Sequence, residues 1–288
     1  MLRSVMDQTV APDEVIIVDQ SNADDTQGLI GQFLPNEEQR KLRSPRFVYR
    51  YEPGLPGAGA ARNLGITLST CSILLFLDDD VLLEPDFVEA LLGVYRRHPA
   101  VGGVSGIITN YSRPRFRERI LEQLFCLGPF HDERLAIYWN ASRLRPSEPI
   151  PVRKVSGCVM SVRRSALGDK RFDAQYRGAG AEDVDLSWRL SEVSPIVLTP
   201  AARVRHLRTE SGPRRQHWLT STVCCHYYLY YRLWRGSLFG TLCFLWLNCG
   251  FVLVATVSSL RQRSVSPYRN LRAGIRQSRE LLAADCQP

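Results

Sequence analysis

Three consecutive aspartates, Asp78, Asp79 and Asp80, directly follow the apolar run Ile73–Leu77. An apolar run without a polar break is typical of a strand buried on both faces, as in a parallel sheet. Like charges at the end of such a strand repel one another, and core packing does not need them. A divalent cation with a polyanionic ligand would account for the cluster, because hard cations prefer oxygen ligands. An acidic turn exposed to solvent is the alternative.

A second candidate is Asp183, at the start of a predicted helix that follows a glycine loop at 178–180. Residues at helical spacing form one face of this helix: Asp183, Leu186, Leu190 and Val193. An acid on an apolar face is expected to point toward the interior or a cleft. Helix capping is the alternative role. Asp185 and Arg189 are expected to form an ordinary surface pair.

His206 closes a short alternating strand, predicted over 203–206, in which Val204 and His206 share a face. A lone histidine at a strand end is more often structural than a ligand. It becomes a candidate metal ligand only if the acidic cluster holds a cation.

The elements that must position these residues alternate along the chain. Strands are predicted over 14–18, 47–51, 73–77, 101–108, 155–162, 196–198 and 203–206. Helices are predicted over 24–34, where Asp24 and Asp25 begin it, over 60–68, from Glu84-Pro85 onward and near 117–127. Phe87, Leu91 and Tyr95 would share one helix face. The first three strands and two helices predict a nucleotide-binding βαβαβ unit.

The last third of the chain changes character after an aromatic cluster that includes Trp234 and Arg235. Residues 236–260 carry no charge, and Arg261 and Arg263 close the segment. This length suffices to span a bilayer, and the flanking aromatic and arginine residues resemble interfacial anchors. A helix or hairpin lying in the membrane surface and a buried soluble helix are the alternatives.

The amino-acid composition indicates which classes of binding partner to expect. The 288-residue chain carries a formal net charge of +8, supplied almost entirely by arginine, which suits anionic partners such as nucleotides or phospholipid headgroups. No arginine run typical of a nucleic-acid tail occurs, so nucleic acid is not an expected partner. The eight cysteines form no CxxC pair, and we expect reduced thiols packed as small hydrophobic groups.

Four motifs occur in a specific order: PDEVIIVDQSNADDT, GAGAARNLGI, ILLFLDDDVLLEPDF and GAGAEDVDLSWRL. Together, over roughly residues 5–210, the chain resembles the family 2 inverting glycosyltransferases with the GT-A fold. The resemblance implies an α/β, Rossmann-like domain with a mostly parallel mixed sheet flanked by helices. We expect this domain over 1–212, a helical membrane-associated segment over 213–265 and a basic tail over 266–288.

The resemblance also implies residue roles. Asp19 matches the acid that contacts the nucleobase, and Arg62 matches the basic residue beside it. Asp78 and Asp80 match the first and last positions of the DxD motif, with Asp78 also near the nucleotide, and His206 matches an extra metal ligand of some members. Asp183 matches the catalytic base. Further residues expected to approach the donor or acceptor are Gly157, Gly180 and Glu182.

The implied reaction moves a sugar from a UDP-, GDP- or dTDP-linked donor to a saccharide or lipid-linked acceptor, with Mg²⁺ or Mn²⁺. The expected location is the cytoplasmic face of a membrane. Met1 begins inside what resembles the family's first helix, so we expect the family's first strand to be missing. Two alternatives therefore remain: a catalytically impaired remnant that binds only nucleotide or membrane, and, more weakly, a sugar nucleotidyltransferase.

Overall fold

A computed structural model describes most of the chain. The described residues are 1–22, 26–31, 45–111, 116–126, 128, 130, 145–174, 176, 182–207, 213–233 and 236–284. Predictions that involve Asp24, Asp25, Gly178–Gly180, Trp234 and Arg235 lie outside these residues.

The strands and helices follow the predicted order closely. The strands are Glu14–Asp19 (β1), Arg46–Tyr51 (β2), Ile73–Leu77 (β3), Val81–Leu83 (β4), Gly103–Ile108 (β5), Ile150–Val152 (β6), Val159–Arg163 (β7) and Ile196–His206 (β8). The helices are Leu2–Met6 (α1), Thr26–Gly31 (α2), Ala58–Leu68 (α3), Phe87–Arg97 (α4), Phe116–Leu121 (α5), Arg164–Leu167 (α6), Glu182–Ser191 (α7), Pro213–Leu233 (α8), Leu238–Gln262 (α9) and Ser266–Ala284 (α10). A π-helical turn, Glu122–Cys126, continues α5.

The strands form two sheets. β1 and β2 pair in parallel, and a larger sheet has the order β3-β7-β5-β8-β4, with β6 also pairing with β8. The predicted mixed sheet is confirmed, because β5 and β8 run parallel while β3 and β4 pair antiparallel with β7 and β8. The predicted parallel pairing of β3 is therefore wrong. Its apolar run indicates burial on both faces, which does not determine the direction of the neighbouring strand.

Both faces of the larger sheet are covered by apolar side chains. Leu74 and Phe76 of β3 pack into one core cluster with Leu186 and Leu190 of α7. On the other face, β3 residues at alternate positions pack against a second cluster that contains buried residues of α4. Those α4 residues are Phe87, Leu91, Val94 and Tyr95. The shared face predicted for Phe87, Leu91 and Tyr95 is therefore confirmed. The period of two along a strand explains this division of β3 between two cores.

Strand β8 differs from its prediction because it is one continuous strand of 11 residues rather than two. Its pairing with β5 shifts between Ser105 and Ile107. A Cβ at the intervening Gly106 would overlap the carbonyl oxygen of Ala202, so the chains approach closely at the shift. The bulge keeps β8 paired past Pro200, where the sequence suggested a break.

Three smaller predictions are corrected. The strand predicted over 155–162 forms only from Val159, where antiparallel pairing with β3 begins. Asp185, predicted at the surface, is 1% exposed and pairs with Arg189 at 2.5 Å. Val193 is 62% exposed because α7 ends at Ser191, before the helical face would reach it.

The chain divides into two compact units. The first comprises Met1–Tyr111, Ala141–Arg177 and Glu182–Leu207, and the second comprises Ser112–Asn140, Gly178–Ala181 and Arg208–Pro288. Within the second unit, the indole N–H of Trp246 in α9 donates to the carbonyl of Leu124 at 2.9 Å. The segment predicted as a basic tail forms α10.

Candidate active site

The acidic cluster links the carboxyl end of β3 to the start of β4. It lies at the end of the larger sheet where β3 and β8 terminate. β4 pairs antiparallel with the end of β8, with Val81 opposite His206. This register places His206 Nε2 3.4 Å from Asp80 Oδ1. The side-chain amide of Asn110 donates to the His206 carbonyl at 2.7 Å and accepts from its N–H at 2.9 Å. Sheet pairing and Asn110 therefore hold the histidine against the cluster.

The same edge offers several potential metal ligands. Side-chain atoms of Asp78, Cys158 and His206 lie within 4.8 Å of one another. Asp80 Oδ1 and His206 Nδ1 are buried and have no hydrogen-bond partner within the described part of the chain. Carboxylate oxygens suit Mg²⁺ or Mn²⁺, and an imidazole nitrogen is a common ligand of first-row transition metals. The donor set thus fits a divalent cation, and the predicted ligands Asp78, Asp80 and His206 lie together.

Arg62 of α3 connects the acidic cluster to α7. Its Nη2 lies 2.9 Å from Asp78 Oδ1, and its Nη1 lies 2.9 Å from Glu182 Oε1. Burial alone would lower the pKa of Arg62, but the charges of Asp78, Glu182 and Asp183 raise it above its usual value. The guanidinium is therefore a fixed positive charge between two acidic groups.

Gly157 is the point where Arg62 and Asp183 meet. A Cβ at this position would lie 2.7 Å from Arg62 Nη1, so only glycine leaves the guanidinium where it is. The Gly157 N–H donates to Asp183 Oδ2 at 2.7 Å. The close approach in the structure is to the side chains of Arg62 and Asp183, and the expected approach of Gly157 to donor or acceptor stays a prediction.

Asp183 occupies the first turn of α7 and is 8% exposed. Its Oδ1 accepts from the N–H of Val184 at 2.8 Å, so it also satisfies a helix N-terminal donor. Burial raises the pKa of Asp183, opposed by the hydrogen bond from Gly157 and the charge of Arg62. A buried carboxylate with a raised pKa is a suitable proton acceptor. The inward orientation predicted for Asp183 is confirmed, and the capping contact exists as well.

Glu182 has a perturbed acidity of its own. Burial and the neighbouring charge of Asp183 raise its pKa to about 7, against the lowering effect of Arg62. Adjacent buried carboxylates that bind protons differently are a recurrent feature of functional sites. Gly180, predicted to belong to the same loop, lies outside the described residues.

Asp19 ends β1 and makes its own set of hydrogen bonds. The Tyr49 hydroxyl donates to Oδ2 at 2.9 Å, and the Ser21 N–H donates to Oδ1 at 2.8 Å. Burial would raise the pKa of Asp19, but these hydrogen bonds lower it to about 2. Asp19 is thus a fixed anion, and its hydrogen bonds within the described chain do not reach the acidic cluster.

The sequence reasoning missed Cys158 and Tyr49 as site residues. Cys158 lies near Asp78 because Leu77 of β3 pairs with Val159 of β7. Tyr49 contacts Asp19 across the parallel β1–β2 pair. Both depend on strand register between distant segments, and no local sequence signal reports it.

Comparison with known proteins places these features in a family. A family model described as glycosyl transferase family 2 matches residues 1–169, more than half of the chain. An N-acetylglucosaminyl-diphospho-decaprenol L-rhamnosyltransferase of Mycobacterium tuberculosis is 33% identical over 145 residues, 47% of this chain and 47% of the relative. A validoxylamine A glucosyltransferase of Streptomyces hygroscopicus subsp. limoneus is 26% identical over 205 residues, 64% of this chain and 42% of the relative.

Among solved structures, a mannosyltransferase from Pyrobaculum calidifontis in complex with GDP-Man and Mn²⁺ superposes with a TM-score of 0.55. It is 16% identical, and the alignment covers 99% of this chain and 83% of that one. This likeness shows a GT-A glycosyltransferase fold. The matches span about half the length of the curated relatives. The matched family model, the fold and the site geometry agree, and the chain belongs to glycosyl transferase family 2.

Proposed function

We propose that the chain transfers a sugar, with inversion, from a nucleoside-diphosphate donor to a hydroxyl of a saccharide or lipid-linked acceptor. The observation that carries this proposal is the convergence at Gly157: Arg62, paired with Asp78 of the acidic cluster, and Asp183, held by the Gly157 N–H. Cation ligands and a candidate base thus belong to one connected set of side chains.

The residues of the chain divide the work of such a transfer. Asp78, Asp80 and His206 would hold Mg²⁺ or Mn²⁺, and Arg62 adds a fixed positive charge beside them. When bound, the cation would neutralise charge that develops on the leaving diphosphate. Asp19, ionised at all physiological pH values, would accept a hydrogen bond from the nucleobase.

Asp183 would act on the acceptor. As the acceptor oxygen bonds to the anomeric carbon, the bond from that carbon to the diphosphate oxygen breaks and the acceptor proton moves to the Asp183 carboxylate. Attack from the face opposite the leaving group inverts the anomeric centre. The raised pKa strengthens this carboxylate as a base once it is deprotonated.

Donor and acceptor classes follow the relatives. The mannosyltransferase structure contains GDP-Man and Mn²⁺, and the mycobacterial relative is named for a diphospho-decaprenol acceptor. We therefore propose a UDP-, GDP- or dTDP-linked donor and favour a lipid-linked acceptor.

Membrane association at the cytoplasmic face is part of this proposal. Helix α9 has 25 residues, and its most apolar 18-residue window, 39% of which is buried within the structure, has a mean hydropathy of 2.0. Its length and composition suffice to cross a bilayer. Leu238 and Leu245 are among its exposed apolar side chains. A surface thus exists that lipid would cover.

The test is a turnover assay on the full chain in mild detergent. UDP-, GDP- and dTDP-sugars are each supplied with Mn²⁺ and a lipid-linked saccharide mixture, and the released nucleoside diphosphate and the anomeric configuration of the product are measured. We expect one donor class to be used, loss of turnover with chelator, and an inverted product. A product with retained configuration, or turnover unaffected by chelator, would contradict the proposal.

A further inference from the structure

Cys158 places a sulfur atom among the oxygen and nitrogen ligands of the acidic edge. It is 3% exposed, and its Sγ belongs to the group of ligand atoms, with Asp78 and His206, that lie within 4.8 Å of one another. The antiparallel β3–β7 register fixes this position, because Cys158 directly precedes Val159, the partner of Leu77.

A second observation at the same place concerns His206. The residue is 7% exposed, yet its Nδ1 has no hydrogen-bond partner within the described residues. An imidazole can bind a cation through either nitrogen, and a buried nitrogen without a partner is costly unless something binds it. The side-chain set can therefore supply nitrogen, oxygen and sulfur to one ion.

Sulfur changes which ions such a site prefers. Carboxylate and water ligands suit Mg²⁺ and Mn²⁺, whereas a thiolate selects softer ions such as Zn²⁺, Co²⁺ and Cd²⁺. The thiol would release its proton to solvent on binding, because the thiolate is the ligand form. The Ser156 hydroxyl lies 3.1 Å from Cys158 Sγ and can donate to that thiolate. Such outer contacts orient metal ligands.

We propose that Cys158 is a direct ligand of the divalent cation, alongside His206 and Asp78, and makes this site bind thiophilic ions in preference to Mn²⁺. The inference rests on the cation site of the proposed function and adds to it a ligand and an ion preference. Zn²⁺ binds nitrogen and oxygen sites more tightly than Mn²⁺ in general, and a Cys158 thiolate would widen that difference.

The test is spectroscopic and needs no substrate. The full chain, reduced and in detergent, is titrated with Co²⁺, and the near-ultraviolet thiolate-to-cobalt charge-transfer band is recorded for wild type, Cys158→Ser and Cys158→Ala. Cys224→Ser is the matched control, since Cys224 is also 3% exposed and lies in the other unit. Circular dichroism checks that each variant is folded.

We expect the band in wild type and Cys224→Ser, and its loss in both Cys158 variants. The affinity for Cd²⁺, relative to that for Mn²⁺, should fall in those variants by at least the roughly 10–100-fold that loss of an outer contact to a metal ligand costs. Bound Co²⁺ without the band, or a band that survives in Cys158→Ser, would assign Cys158 to packing and leave the proposed function intact. If neither Mn²⁺ nor Co²⁺ bound the folded chain, both the inference and the proposed cation site would be wrong.

Discussion

At the scale of single residues, Gly157 determines the geometry between the acidic cluster and α7. Its N–H holds Asp183, and its missing side chain leaves room for the Arg62 guanidinium. Two groups with different proposed roles therefore depend on one backbone position. A side chain at this position is therefore expected to disturb the Arg62 guanidinium directly.

Gly157→Ala should weaken donor binding by roughly tenfold or more. The new Cβ would displace the guanidinium, and a hydrogen bond to a charged group contributes about 1.5–3 kcal/mol. Titration calorimetry with the donor measures the effect. Gly65→Ala is the matched control in α3, because a Cβ there meets nothing within 4 Å. It should stabilise the helix by about 0.5–1 kcal/mol and leave donor affinity unchanged. Equal donor affinities in Gly157→Ala and wild type would contradict the role given to Gly157.

Asp183→Asn should lower the rate of transfer by about 10²–10⁴-fold while donor affinity is retained, because the proton acceptor is lost. The Asn side chain keeps an oxygen for one of the two backbone N–H groups, of Gly157 and Val184, that Asp183 accepts from. Single-turnover kinetics at saturating donor measure the rate. Asp185→Asn removes another buried carboxylate of α7, one that pairs with Arg189. This control should lower the melting temperature but leave the rate of the folded enzyme close to wild type. Comparable rates in the two variants would remove Asp183 from the role of base.

The raised pKa of Glu182 predicts a pH dependence of stability. The pKa of the Glu182 carboxyl is about 7 in the folded chain and near 4.5 in the unfolded chain. Between these two pH values the folded chain therefore binds the proton more tightly than the unfolded chain. The contribution of protonated Glu182 to the free energy of unfolding is therefore complete below pH 4.5 and is lost as the pH rises to about 7. Each pH unit in this window costs at most about 1.4 kcal/mol.

Urea unfolding from pH 4.5 to 7, with chelator present, tests this prediction. The free energy of unfolding of wild type should fall relative to that of Glu182→Gln, which cannot titrate. Parallel curves for the two proteins would show that Glu182 has an ordinary pKa in the folded chain.

At the scale of elements, α10 carries a basic face that the sequence pattern already contains. Exposed arginines recur along it at helical spacing: Arg269, Arg272, Arg276 and Arg279. The neighbouring α9 exposes apolar side chains, and the Tyr268 hydroxyl lies 2.7 Å from the Thr256 hydroxyl, which connects the two helices. An arginine face beside an apolar helix suits an anionic membrane surface.

Replacing these four arginines by glutamine should weaken binding to phosphatidylglycerol-containing vesicles by roughly 100-fold or more, since each contributes about 1 kcal/mol near an anionic surface. Binding to pure phosphatidylcholine should change little, and vesicle co-sedimentation measures both. Arg96 and Arg97, exposed at the end of α4, provide a control double substitution outside this face, and it should have no effect. The Arg269→Gln, Arg272→Gln double variant, which removes the same number of charges, should weaken binding by itself. Unchanged binding in the four-arginine variant would indicate that α9 alone determines attachment, or that α9 is a core helix.

Strands and helices with a strong hydrophobic pattern could be predicted from the sequence, but the pairing of the strands could not. The apolar run of β3 and the buried face of α4 were located from residue spacing alone. The direction of β3 and the continuity of β8 through the Gly106 bulge depend on contacts between distant segments. The position of Cys158 beside Asp78 depends on the same register, so the sequence alone predicts only a packed thiol there.

At the scale of the whole molecule, the order of four motifs predicted the family, and the family model agrees. The grouping of 112–140 with the C-terminal helices was not predicted, because that segment has no regular apolar period. β1 pairs with β2, and β3 with β7, within the described residues.

The measurement that tests the central claim most directly is donor binding by the full chain, with and without metal. UDP-, GDP- and dTDP-sugars are titrated into the detergent-solubilised protein by calorimetry, in Mn²⁺ and again in excess chelator. We predict that one donor class binds and that chelator abolishes its binding, because in the proposed function Asp78, Asp80 and His206 would hold the cation that neutralises the diphosphate. A folded chain that binds no donor, or binds one equally well in chelator, would contradict the account and favour a protein that no longer performs transfer.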